Sequence, residues 1–133
     1  KGISCTFEYD IILHNPTIKE LITDSVMNSQ EIKDLMDAIK NKTDVSEIIN
    51  IIRNDKFKDT ISIHTNNGNF NNEENIAHIV AARYLMSIKK GVVAQELAEV
   101  ISKNQINKLL DKAHFDFIVP TYISEAIEWI HKG

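Results

Sequence analysis

Through most of this chain apolar residues recur at three- and four-residue spacings, the pattern of helices that bury one stripe and wet the other. Ile18, Leu21, Ile22 and Val26 follow Asn15-Pro16, where Asn suits a cap and Pro a first helical position, and predict a helix over about 16–27. Ile32, Leu35, Met36 and Ile39 predict a second one, capped by Ser29, with Lys33, Asp34, Asp37 and Lys40 outward. A third begins at Asp44, where Glu47 stands three residues on as in a capping box and Val45, Ile48, Ile49 and Ile52 form the stripe.

The stretch KFKDTISIHTNNGNFNNEEN breaks this rhythm. Thr60 to His64 alternates and is β-branched, and Asn67-Gly68 favours a hairpin turn, so a small β-hairpin over 60–70 is one reading. An Asn-rich surface loop over about 65–72 is the other. The segment 3–13 also alternates, through Ile3, Cys5, Phe7, Tyr9, Ile11 and Leu13, as a strand does; its end, Asp10 to Leu13, equally suits the start of a helix.

Asn72 with Glu73 and Glu74 opens the best punctuated element, a helix over about 73–90 that closes on Lys89-Lys90-Gly91. Its residues are apolar nearly all round, which predicts a buried central helix surrounded by the others. Shorter helices are expected over 92–103 and 105–114, then an extended 115–119 before Pro120, then a last helix over 121–131. The fold expected is mainly α: a compact bundle of six to seven short helices around 73–90, in one domain spanning 1–133. The chain begins at Lys1, which suggests a fragment of a longer protein.

Composition narrows the class. The 133 residues are 43% hydrophobic and 26% charged, too rich in Ile, Leu and Val for a disordered chain. No apolar run approaches the roughly 18 residues of a membrane span. The 22 Ile, 13 Asn and 13 Lys against 2 Arg and 2 Pro are the accent of an A/T-rich genome, such as that of a virus, phage, parasite or low-GC bacterium. Cys5, the only cysteine, points to a reducing, intracellular compartment, the cytoplasm, including that of a host cell. The net charge of -4 is shared by both halves, so neither is a polycation.

Residues 91–119 resemble a winged-helix or helix-turn-helix segment: a glycine, a short helix, a link at Ile101 to Asn104, a second helix, an extended piece. The resemblance implies nucleic-acid contacts at Lys103, Asn104, Gln105, Asn107, Lys108 and Lys112, none of them Arg, the commonest guanine reader. His78 and Arg83 on the central helix form a candidate buried polar site. Asp111-x-x-His114, Glu128-x-x-His131 and Glu74 with His78 have ligand-like spacing but read as ordinary helix pairs. Nucleotide, dinucleotide and zinc-protease motifs are missing from the sequence, and no cofactor or metal is expected.

The reading that follows is a non-catalytic helical domain for protein–protein interaction or regulation, its partner another protein or the rest of its parent chain. A nucleic-acid module at 91–119 is the alternative, and a fragment of a larger enzyme, its catalytic groups partly elsewhere, a third.

Overall fold

Phe7–His14 wind into α1 rather than a strand, because Ile11 and Ile12 both enter the core and a strand would send them to opposite faces. The computed structural model describes residues 7–89 and 92–118, and among them finds six α-helices and no strand. The others are α2 (Ser29–Lys40), α3 (Val45–Ile51), α4 (Asp55–Asn66), α5 (Glu73–Met86) and α6 (Val92–Leu109). The expected strand at 3–13 is therefore helical over its described part; residues 3–6, and the helix expected at 121–131, lie outside the described residues.

The central helix is α5. Asn72 accepts the Asn75 amide (2.8 Å) to open it, and Ala77, Ile79, Val80, Ala81, Arg83 and Tyr84 are buried. α1 packs most extensively against it, and α2 packs on it as well. It ends at Met86, before the lysines, because Ser87 turns away: the Ser87 hydroxyl donates to the Arg83 carbonyl (2.9 Å), and its own carbonyl accepts the Met27 amide (2.7 Å). The helix is not buried all round, since Glu74, His78 and Met86 are exposed.

Three expectations are corrected. The 16–27 stripe forms only a 3-10 turn, Lys19–Leu21, between the extended residues Ile18 and Ile22. Leu21 and Val26 still reach the core, but Thr23 and Ser25 spend their hydroxyls on Glu96 of α6, so tertiary bonds override the helical spacing. The 60–70 hairpin is instead the C-terminal part of α4 and the loop after it. Asn54 caps α4 by accepting the Phe57 amide (2.9 Å), and the alternation is not used: Ile61 is buried while Ile63 is 60% exposed. Thr60 and Thr65 tolerate the helix by donating to the carbonyls of Lys56 and Ile61. The expected pair 92–103 and 105–114 is instead one continuous α6 that stops at Leu109, with no turn at 101–104 and no helix over 110–114.

Asparagine and lysine work at the joints. Asn28 (φ 55°) stands at the cap position of α2, where Ser29 was expected, and its amide reaches the Ser87 hydroxyl (3.2 Å). Lys42 (φ 58°) turns the chain out of α2, with the Thr43 amide closing back on the Ala38 carbonyl (2.9 Å). Asp111 (φ 59°) does the same after α6, where the Lys112 amide reaches the Asn107 carbonyl (2.7 Å). One continuous core joins the elements, from Ile11 and Ile12 through Ile32, Leu35, Met36, Ile48 and Ile52 to Ile79, Tyr84, Leu97 and Ile101.

Candidate functional site

The two sides of α6 differ in a way that the rest of the fold does not require. Val93, Leu97, Ala98, Ile101 and Asn104 face the core and are buried. On the other side Val92, Gln95, Glu99, Lys103, Ile106 and Leu109 are exposed, and Leu110 follows one residue past the helix end. Seven residues make nearly two turns, so Val92, Glu99 and Ile106 run along one line, with Lys103 and Leu110 beside it. Val92 is 47% exposed, Ile106 53%, Leu109 84% and Leu110 58%: two aliphatic ends flank a charged middle on a helix about 27 Å long.

Beside this face lies a cleft of about 450 Å³, lined by Glu20, Val100, Lys103, Asn104, Asn107, Ala113, His114 and Phe115. It exists because residues 110–118 fold back along α6 and are held there by two buried asparagines. The Asn104 side chain donates to the Phe115 carbonyl (2.9 Å) and accepts the Phe115 amide (2.8 Å). Asn15, just after α1, treats Ile118 in the same way (2.8 and 2.7 Å) and also donates to the Ile11 carbonyl. Each carboxamide thus pairs with both backbone groups of one residue, as a neighbouring strand does.

The nucleic-acid candidates are separated by this arrangement. Lys103, Asn104 and Asn107 line the cleft, but Asn104 is buried and committed to Phe115, so it is corrected from a contact residue to a structural one. Gln105 and Lys108 point to other sides of α6, and Lys112 lies in the turn after it; all three are exposed. A recognition helix presents its readers on one face after a turn from the preceding helix, whereas these candidates fall on several sides of α6 and no turn interrupts it at 101–104.

The candidate buried polar pair is also divided. Arg83 is buried beside Glu31 of α2: its Nε donates to one carboxylate oxygen at 2.6 Å and a terminal nitrogen to the other at 3.2 Å. His78 is exposed, a correction to its expected burial, because it falls on the open edge of α5. There it meets Tyr9 of α1, with 2.6 Å between the Tyr9 hydroxyl and His78 Nδ1. Burial, reinforced by the Asp10 charge, pushes the Tyr9 phenol up; burial also raises the Asp10 carboxyl, against the lowering pull of His14 and His78. His64 lies near the end of α4, with Asn69 and an edge-on ring contact to Phe70 as its partners.

Glu96, on the flank of α6, accepts hydroxyl hydrogen bonds from Thr23 (2.5 Å) and Ser25 (2.7 Å), which lower its carboxyl below the usual range. They tie the 23–25 strap to α6. Among the described residues no group of three or more His, Cys, Asp or Glu is placed to hold a metal ion, and no helix is long and apolar enough to cross a membrane. The sequence shows the inner stripe of α6 directly; its outer stripe emerges only when 92–109 is one helix, because a division at 101–104 puts Val92 on a different element from Ile106 and Leu109. Compared with protein-family models, curated proteins and solved structures, the chain matches none.

Proposed function

We propose that this chain is a non-catalytic, helical protein–protein interaction domain whose docking surface is the outer face of α6. The observation that carries the reading is the exposure of Val92, Ile106, Leu109 and Leu110 on one side of a helix whose other side is closed into the core. Isolated exposed aliphatics are ordinary, but several on one helix face are what a helix-to-helix contact uses. Leu109 leaves most of its side chain in water, which costs about 1.5–3 kcal/mol relative to burial and is recovered when a partner covers it.

Position-specific photo-cross-linking in the cell that encodes the protein tests the reading. A cross-linker at position 109 should capture a protein, while one at Asn50, exposed on α3, should not. Equal capture from both positions, or none from position 109, refutes it.

A further inference from the structure

The outer face of α6 is complementary to itself. Read from one end, it runs aliphatic (Val92), acidic (Glu99), basic (Lys103), aliphatic (Ile106, Leu109, Leu110). Reversed, the same order places an aliphatic end against an aliphatic end and an acid against a base. We propose that the partner of this face is a second copy of the chain, bound through an antiparallel α6–α6 contact about a two-fold axis near residues 100 and 101. The proposal rests on reading this face as a docking surface and goes further by naming the occupant.

The register follows from the positions. On a helix Ile106, Leu109 and Leu110, at i, i+3 and i+4, surround a hole of the kind that accepts one side chain from a facing helix. With the axis at 100–101, Val92 of each copy enters that hole in the other. Glu99 then lies within one turn of Lys103 across the contact, and the two-fold repeats both features, so four aliphatic side chains from each copy close two plugs around two ion pairs. Parallel pairing sets Glu99 beside Glu99 and Lys103 beside Lys103, and is disfavoured by like charge. The contact is one helix pair long, at the small end of specific interfaces, which places its dissociation constant in the micromolar range. The exposed charges contribute mainly direction, and the aliphatic plugs most of the affinity.

Sedimentation across micromolar to millimolar concentration, with helicity checked by circular dichroism, tests the pairing. The wild-type chain should move from monomer to dimer and stop there. E99K carries only cations in the middle of the stripe and K103E only anions, so each alone should lose dimerisation by tenfold or more. Mixed in equal amounts they should form a heterodimer, and E99K/K103E should dimerise as the wild type does. A wild type that stays monomeric, single variants that dimerise normally, or a mixture that fails to associate overturns the proposal. If the chain is monomeric and position 109 cross-links to a different protein, the pairing is wrong and the docking face stands. If position 109 captures nothing, both fall.

Discussion

Removing the Arg83 guanidinium should be among the most damaging single changes available in this protein. Arg83 and Glu31 have side chains 6% and 3% exposed, their contact is 2.6 Å, and Ile32, Leu35, Val80 and Tyr84 nearby on the same two helices are buried. R83M keeps length and apolar bulk but strands a carboxylate where water cannot reach it. Breaking a buried pair on one side costs about 3–5 kcal/mol. For a chain of this size each kcal/mol moves the melting temperature by roughly 3–5 °C, so the variant should melt about 10–20 °C lower. Replacing both partners, as in E31M/R83M, removes the stranded charge together with its counterion and should recover most of the loss. Urea unfolding followed by far-ultraviolet circular dichroism gives these numbers directly. A loss below about 1 kcal/mol in R83M, or a double variant as unstable as the single one, would refute the view of this pair as a desolvated clamp between α2 and α5.

Y84F should cost about 1–3 kcal/mol in urea unfolding without opening a cavity, since the Tyr84 hydroxyl donates to the buried Leu21 carbonyl at 2.8 Å. Burial first, and the charges of Glu8 and Glu96 after it, hold the Tyr84 phenol above the usual range. Its contribution is therefore complete below about pH 10 and is lost as pH rises beyond that, a slope that Y84F should lack. In a carboxyl NMR titration Glu96 should ionise below the ordinary carboxylate range, and T23V should move it upward. The stability linked to Glu96 is present above the usual carboxylate value and fades as pH falls through the lowered one; equal titration in wild type and T23V would contradict this. N104D removes the donor to the Phe115 carbonyl and adds a buried charge, so amides over 115–118 should exchange faster while those of α5 stay protected. Unchanged exchange over 115–118 would show that Asn104 does not hold the segment.

What could be read in advance was decided by where hydrogen bonds go. The stripes of α2, α3 and α5 are local and strong, and each folds near the position its spacing predicts. The 16–27 segment has an equally good stripe but carries Thr23 and Ser25, whose bonds to Glu96 run to a residue more than 70 positions away. No local pattern announces such a partner. Thr60 to His64 shows the opposite failure: alternation suggested a strand, yet the Asn54 cap and the Phe57–Ile61 spacing made the segment helical. At the candidate face the aliphatics and charges were all visible, but splitting α6 at 101–104 hid their common side. The isoleucine excess did find its place, since among the described residues eight of the eighteen members of the buried core are isoleucine.

The two asparagine clamps also set an order of events in folding. Asn15 joins Ile118 across 103 positions of chain, whereas Asn104 joins Phe115 across 11. Closing the longer loop carries the larger entropy cost and gains nothing until α1 and α6 are already side by side. The 115–118 segment is therefore expected to zip from Phe115 toward Ile118 as a late step, and to peel in the reverse direction first. Among the described residues the Asn15 carboxamide is thus the outermost hold on this segment, and its loss should free Ile118 while Phe115 stays fastened to Asn104.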